Sequence, residues 1–280
     1  MLLYKYKSLA TTKSKDYAFE SLKEKYLYFS RPSELNDPFD CQIQISFIAS
    51  DKEYLEWLKS KRKKKNLGKK LSTVAKIKES IQDPNLLKFL RAEATKMVEL
   101  NHICSLTPDC FNESMWALYT TNYNGICIGY NVSNTNNYKN IEFSSKYHLD
   151  SFQSNPELLA FKQIYYDNLG DHPLPLFKSD KVQEDNILYN LIHKKKCWNA
   201  EQEYRAILHD TDFYRPPRFI STTKVFYSDD LLKEIIFGYN VSNDDINYIK
   251  QIIKENYSSN VEFFKIKPDL QEYKLIKEQI

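Results

Sequence analysis

The first fifty residues alternate between two hydrophobic periods, which restricts the chain to folds that contain both helices and strands. Apolar and aromatic residues run together in LLYKY, from Leu2, and in YLYF, from Tyr26. QIQISF, from Gln42, alternates apolar and polar side chains, as a strand with one buried face does. DYAFESLKEK, from Asp16, instead has the spacing of an amphipathic helix. This segment therefore predicts a mixed arrangement of strands and helices.

Later segments extend that prediction to the rest of the chain. Further strands are predicted at ICSLT, GICIGY, EYRAIL, TKVFY, EIIFG and VEFFKIK. Near the C-terminus, isoleucines at helical spacing predict a buried helix stripe, which Ser242 or Asn243 can cap; the stripe consists of Ile246, Ile249, Ile252 and Ile253. We expect an α+β fold with a mixed, mainly antiparallel central sheet and flanking helices.

The length of 280 residues favours a single domain over residues 1–280 with a sizeable core. Between Lys52 and Leu100 the composition becomes lysine-rich and helix-forming, with a break at Asp83-Pro84. We therefore predict a lysine-rich helical insertion or cap over residues 51–100.

Charge is balanced overall but concentrated locally. The 40 basic residues nearly match the 37 acidic ones, so the net charge of +3 makes no case for nucleic acid. Residues 59–70, KSKRKKKNLGKK, are rich in basic side chains and contain no acid. Such a run is either a solvated helix face or loop, or a patch that contacts nucleic acid or a partner protein.

Several function classes lack their sequence signatures. Lysines interrupt the apolar N-terminus and no 18 apolar residues run together, so we expect no secretion signal, no membrane span and a cytoplasmic protein. The five cysteines are scattered, and neither they nor the histidines show zinc-site spacing, so we expect reduced, mostly buried thiols and no metal site. The few glycines form no phosphate loop, which disfavours a Rossmann or P-loop nucleotide site.

The stretch YFSRPSELNDPFDC, from Tyr28 to Cys41, is unusually rich in polar and turn-forming residues. An Asn-Asp pair before Pro38 favours a turn, and Asp side chains can cap free amides, so the stretch can be a rigid, self-capped corner. Alternatively the corner presents polar side chains to a pocket. The candidates are Ser30, Arg31, Asn36, Asp37 and Asp40.

A second concentration of polar residues is KKKCWNAEQEYRAIL, from Lys194 to Leu208. If this segment is a strand, Glu201, Glu203 and Arg205 share one face. A carboxylate pair beside an arginine suits general-base work or the stabilisation of a developing cation, and equally a plain surface ladder.

Four blocks together resemble the bacterial family known as domain of unknown function 2971. They are LYKY near the start, YLYFSRPSELNDPFDC, SMWALYTTNYNGICIGY, and the K-x-W-x-x-E-x-E-Y-R pattern that ends at Arg205. The blocks fall in the order of that family. The resemblance by itself implies no reaction.

A more distant resemblance links the chain to ADP-ribosyltransferases of the arginine-serine-glutamate type. Those enzymes carry a basic residue on an early strand, a serine at the end of a second strand, and two carboxylates one residue apart on a late strand. Here Lys5 or Lys7, then Ser30, then Glu201 with Glu203 occur in that order. Lysine in place of arginine or histidine offers a point charge without a planar fork.

That resemblance implies a fold like that of ADP-ribosyltransferases, NAD as the substrate, and an unidentified acceptor. It implies that Glu203 is catalytic and that Glu201 orients the acceptor. The expected NAD-binding residues are Lys5, Tyr6, Ser30, Arg31, Asn36, Asp37, Trp116, Tyr119, Trp198 and Arg205. A bacterial effector in antiphage defence or toxin–antitoxin biology is the expected context.

Two other function classes stay open. In the first, a magnesium-dependent nuclease, carboxylates hold the metal while basic runs contact phosphates. Its ligands would be Asp37, Asp40, Glu201 and Glu203. In the second, the chain is a non-enzymatic module that binds nucleic acid or protein through the lysine-rich insertion.

Overall fold

A computed structural model describes residues 1–62, 73–132, 161–167, 173–178, 180–209 and 224–280. In chain order the strands are β1 (Leu2–Ser8), β2 (Tyr26–Tyr28), β3 (Ile45–Ser46), β4 (Asn101–Leu106), β5 (Gly125–Asn131), β6 (Lys162–Gln163), β7 (Tyr165–Asp167), β8 (Leu174–Pro175), β9 (His193–Lys195), β10 (Tyr204–His209), β11 (Lys224–Phe226), β12 (Leu232–Phe237), β13 (Glu262–Asp269) and β14 (Lys274–Gln279). The α-helices are α1 (Thr12–Lys23), α2 (Asp51–Arg62), α3 (Val74–Ser80), α4 (Pro84–Glu99), α5 (Glu113–Tyr119), α6 (Asp180–Leu191) and α7 (Asn243–Asn256).

These elements form two compact units. Unit 1 comprises residues 1–30, 102–164 and 198–280, and unit 2 comprises residues 31–101 and 165–197. Unit 1 contains the central sheet. Unit 2 contains the helices of the lysine-rich stretch.

The central sheet of unit 1 has five strands in the order β1-β5-β12-β13-β14. Its neighbours are antiparallel except β12 and β13, which run parallel. The prediction of a mixed, mainly antiparallel central sheet in an α+β fold is therefore confirmed. Helices α1 and α7 pack against each other, and the rings of Phe19 and Tyr248 meet edge to face at 4.9 Å.

The prediction for the C-terminal helix is confirmed in detail. All four isoleucines of the stripe are buried, and they join the apolar core that also contains Leu22 and Ile128. Ser242 is the N-cap, and its hydroxyl accepts a hydrogen bond from the backbone N–H of Asp245. Acidic side chains in the first turn further stabilise this end of the helix.

Strand β4 connects several parts of unit 1. It forms a second sheet in the order β4-β10-β6. It also makes two isolated antiparallel bridges, one between Thr107, just after the strand, and Tyr4, and one between Ile103 and Ser30. The first bridge has N···O distances of 2.7 and 3.0 Å, and the second has distances of 2.7 and 2.8 Å. The bridges therefore tie β1, at Tyr4, and the chain just after β2, at Ser30, to the β4 segment.

Unit 2 holds three helices, α2, α3 and α4, in the stretch with helix-forming composition. Asp83 caps α4, with its carboxylate accepting from the Asn85 N–H, and Pro84 occupies the first helical position, where a missing N–H costs nothing. The same unit contains α6 and two short parallel strand pairs, β3 with β8 and β7 with β9. Most of the basic run, residues 63–70, lies outside the described residues.

The expectation of reduced, mostly buried thiols is confirmed. Four free cysteines are buried and Cys197 is exposed. None of the helices in the described part of the chain is both long and apolar enough to span a bilayer.

Gly125 gives a test of how closely β1 and β5 approach. A Cβ atom at this position would lie 2.2 Å from the backbone oxygen of Lys7 and 2.7 Å from Cβ of Thr120. We expect Gly125→Ala to lower the free energy of unfolding by about 3 kcal/mol, because backbone must move to make room. Urea denaturation measures the loss. Ser8→Ala, on the paired residue, removes two exposed hydrogen bonds and should cost about 1 kcal/mol; equal losses would contradict the argument.

Candidate functional site

Unit 1 contains a cavity of about 460 Å³ beside β1 and α1. Four of the residues predicted to bind NAD line it, namely Lys5, Tyr6, Ser30 and Tyr119. The structure thus brings together residues from the first, second and third sequence blocks. Residues that were not site candidates also line the cavity, among them Glu20, Lys224, and Tyr26 and Tyr28 of the second block.

Strand β1 places two lysines in this cavity. Lys5 and Lys7 lie two residues apart, so a strand directs both side chains to the same face. The Lys5 ammonium donates to the Ser105 carbonyl oxygen at 2.9 Å, and the Lys7 amine donates to the Ser21 hydroxyl at 2.6 Å. Tyr6 also lines the cavity and donates its hydroxyl to the Asp109 carbonyl oxygen.

Ser30 follows β2 at the point where the chain leaves that strand. Its N–H and C=O both pair with Ile103 of β4, so its backbone position is fixed by two hydrogen bonds. The residue is half-buried and lines the cavity. The expectation that the strand end delivers Ser30 to a pocket matches this placement.

Tyr119 connects the cavity to a carboxylate. It is the last residue of α5, whose N-cap Asn112 accepts from the Met115 N–H. The Tyr119 hydroxyl donates to Oε1 of Glu201 at 2.5 Å. Glu201 is 6% exposed. A wall residue of the cavity therefore holds one of the two predicted carboxylates.

Glu201 does not lie on a strand, so the prediction that it shares a strand face with Glu203 and Arg205 is wrong. Glu201 ends a 3₁₀ helix, Lys196–Glu201, and β10 begins only at Tyr204. Between them Gln202 has a φ of 45°, in the left-handed region. A left-handed residue interrupts an extended backbone, so the alternation of a strand does not extend to Glu201.

Glu203 and Arg205 form a buried ion pair. Arg205 Nε donates to Glu203 Oε1 at 2.7 Å, and a terminal guanidinium nitrogen donates to Oε2 at 3.2 Å. Burial raises the pKa of the Cys104 thiol in β4, the charges of Lys5 and Lys7 lower it, and the charge of Glu203 raises it. The charges of Lys5, Lys7 and Glu203 thus all influence the pKa of the Cys104 thiol.

A network of opposite charges lies at another part of the cavity wall. Lys224 of β11 donates to Glu20 at 2.8 Å and to Glu24 at 3.1 Å. Burial disfavours the charged form of Lys224 and lowers its pKa. The hydrogen bonds to Glu20 and Glu24 have the larger combined effect, so the pKa of Lys224 is raised overall. The hydrogen bond from Lys224 lowers the pKa of Glu20, and burial raises the pKa of Tyr26, which also donates to Glu20.

The pKa of Lys7 is shifted in the opposite direction to the pKa of Lys224. Burial lowers the pKa of Lys7 to about 7, and the neighbouring charge of Lys5 contributes in the same direction. The negative charge of Glu20 acts against this shift but does not cancel it. Burial thus disfavours the charged form of Lys7 and brings its pKa close to neutral pH.

The other predicted residues have different surroundings. Trp116 is fully buried, packs edge-on against Tyr6 and donates its indole N–H to the Cys110 carbonyl oxygen, which gives it a packing role. Trp198 is half-buried on the 3₁₀ helix, and Arg205 is occupied by its ion pair with Glu203.

Three further predicted residues belong to unit 2. Arg31 and Asn36 are exposed, and Asp37 is 4% exposed. Asp37 caps the corner, because its carboxylate accepts from the Phe39 N–H at 3.0 Å. Nearby Asp40 lies 3.6 Å from the buried ammonium of Lys194. The Asp37 cap is the kind of contact expected of a self-capped corner in the stretch from Tyr28 to Cys41.

The four carboxylates of the magnesium alternative are divided between the units. Asp37 and Asp40 lie in unit 2, and Glu201 and Glu203 lie in unit 1. Among the residues that the structure describes, no group of three His, Cys, Asp or Glu side chains is placed to hold a metal ion.

Part of the chain is similar to a known family. Residues 115–206 match the model of a family described as "Protein of unknown function (DUF2971)". This range includes the blocks around Trp116 and Trp198, whereas the blocks around Lys5 and Asp37 lie outside it. No curated protein and no solved structure matches the chain.

The ion pair between Glu203 and Arg205 makes a stability prediction. We expect Glu203→Gln to lower the free energy of unfolding by about 3 kcal/mol, because a buried guanidinium loses its counter-charge. Urea denaturation measures the change. The control is Glu93→Gln, which breaks an exposed pair with Lys96 and should cost less than about 1 kcal/mol. The argument fails if both variants lose the same stability.

Proposed function

We propose that unit 1 binds NAD in the cavity beside β1 and transfers or hydrolyses its ADP-ribosyl group. The observation that carries the proposal is the convergence of three separate sequence blocks on β4. Lys5 donates to Ser105 of this strand, Ser30 pairs with Ile103, and β10, which follows Glu203, is a neighbouring strand.

Strand spacing sets the distance between the converging groups, of which Lys5 and Ser30 line the cavity and Glu201 reaches it through Tyr119. Neighbouring strands lie about 4.8 Å apart, so groups on the two sides of β4 are separated by about 10 Å. A basic residue, a serine and a carboxylate segment at that spacing can contact one NAD molecule. The tyrosines that line the cavity add flat surfaces on which a base or nicotinamide ring can stack.

The reaction breaks the bond between nicotinamide nitrogen and C1′ of the ribose. The electron pair of that bond goes to nicotinamide, which leaves as a neutral molecule, and positive charge develops on the ribosyl group. Water or an acceptor nucleophile then forms a bond to C1′ and releases one proton. A fixed carboxylate close to C1′ stabilises the developing charge.

Of the two carboxylates, Glu201 is the better candidate for that role. The Tyr119 hydroxyl, on the cavity wall, donates to Glu201 and links it directly to the cavity, whereas Glu203 accepts hydrogen bonds from the buried Arg205. We therefore exchange the roles expected from the resemblance: Glu201 stabilises the ribosyl cation, and Glu203 with Arg205 positions the start of β10. A role as a bacterial antiphage or toxin effector stays part of this proposal and rests on resemblance alone.

The decisive measurement combines NAD binding with nicotinamide release. NAD at 100 times its Kd should stabilise the wild-type protein by about 2.7 kcal/mol and raise its Tm. Glu201→Gln should keep the NAD-induced rise in Tm and lose nicotinamide release by about a hundredfold or more, because it removes the stabilising charge and keeps the shape.

Glu255→Gln, on the exposed face of α7, is the matched control and should release nicotinamide at the wild-type rate. If NAD neither raises the Tm of the wild-type protein nor yields nicotinamide, the proposed function is refuted. If Glu201→Gln and Glu255→Gln release nicotinamide equally, the role of Glu201 is refuted.

A further inference from the structure

The three lysines that line the cavity differ in how their charge is balanced. Lys224 is neutralised by Glu20 and Glu24. Lys5 and Lys7 instead donate to neutral oxygens, a carbonyl and a hydroxyl, and neither forms an ion pair with any residue in the described part of the chain. Among the described residues, the acid of the cavity wall, Glu20, is paired with Lys224, so neither Lys5 nor Lys7 has a carboxylate in direct contact.

The two amines are arranged to act together. Positions i and i+2 of a strand lie about 7 Å apart on one face, which two adjacent phosphate groups can span. A lysine ammonium has three N–H donors, and each of these lysines uses one within the described structure. The remaining donors suit the oxygens of an anion with two neighbouring negative groups.

The surroundings of Lys7 lower its pKa. The groups that face it are Lys5 on β1, Glu20 and Ser21 on α1, and Cys104 on β4, with Lys224 of β11 behind Glu20. Burial and Lys5 lower the pKa of Lys7 to about 7, while Cys104 and Glu20 have pKa values shifted away from neutrality. Lys7 is therefore the group of this set that titrates near pH 7.

We propose that Lys5 and Lys7 form the binding site for the diphosphate of the ligand, and that Lys7 takes up one proton from solvent when the anion binds. The neutral amine, one proton and the anion become an ammonium paired with the anion, and no covalent bond changes. An opposite charge in contact favours the protonated form, so binding and protonation support each other. The identification of the anion as a dinucleotide rests on the proposed function, whereas the anion site does not.

The test measures binding and proton uptake together. The probes are ADP-ribose and inorganic sulfate, because neither titrates between about pH 6 and pH 9. Each probe is added to weakly buffered protein in a pH-stat, which records the acid needed to hold the pH at 7.5. Affinity for wild-type protein should fall about tenfold between pH 6 and pH 8, as the protonated fraction of a group with a pKa of about 7 does.

Two matched substitutions isolate Lys7. Lys7→Arg keeps the positive charge at all these pH values, so it should bind both probes without proton uptake and without the tenfold pH dependence. Lys254→Arg makes the same change at an exposed lysine of α7, which does not line the cavity, and should behave as wild type. Lys7→Gln, whose folding is checked by its Tm, should bind weakly at both pH values.

The outcomes separate this inference from the proposed function. Proton uptake with sulfate, but no binding of ADP-ribose, upholds the lysine site and refutes the NAD proposal. Binding of ADP-ribose without proton uptake, or an unchanged pH dependence in Lys7→Arg, overturns the inference and leaves the NAD proposal standing. Failure of the wild-type protein to bind either probe overturns both.

Discussion

The hydrogen bonds that β4 makes with distant parts of the chain are the constraint on which the site depends. Backbone N–H and C=O groups that are buried must be paired, and β4 satisfies them with Tyr4 near one end and Ser30 near the other. Its edge toward β10 holds the segment that carries the glutamates. Removing any of these pairings would separate the lysine, serine and carboxylate parts of the cavity region.

Three basic side chains of this region differ in how their positive charge is compensated. Arg205 and Glu203 are nearly inaccessible to water and neutralise each other through two hydrogen bonds. Lys224 is paired with glutamates at a more accessible part of the wall. Lys7 has no such partner among the described residues, so burial opposes its charge. The proposal of an anion site depends on this difference, because a bound anion would favour the protonated form of Lys7.

Local sequence patterns predicted helix α7 correctly, because one face of this helix is buried. The isoleucine stripe of α7 and its Ser242 cap depend on spacing within fifteen residues, and the structure has both. The alternating spacing of Glu201, Glu203 and Arg205 wrongly predicted a strand through Gln202, whereas the strand begins at Tyr204. The left-handed backbone of Gln202 has no signature in the residue type, since such conformations are usual for glycine or asparagine.

The sequence by itself determined the α+β class and most strands, because periodicity is a local property, and residue types made Ser30 and the two glutamates candidates. The candidate status of Lys5 and Tyr119 came from the family resemblance. Only the tertiary structure decided which of these meet in the cavity. Lys224 pairs with Glu20 across 204 positions of chain, and the low pKa of Lys7 arises from burial and from Lys5. Solvent exclusion and ion pairing depend on which distant segments pack together, and no local pattern encodes that.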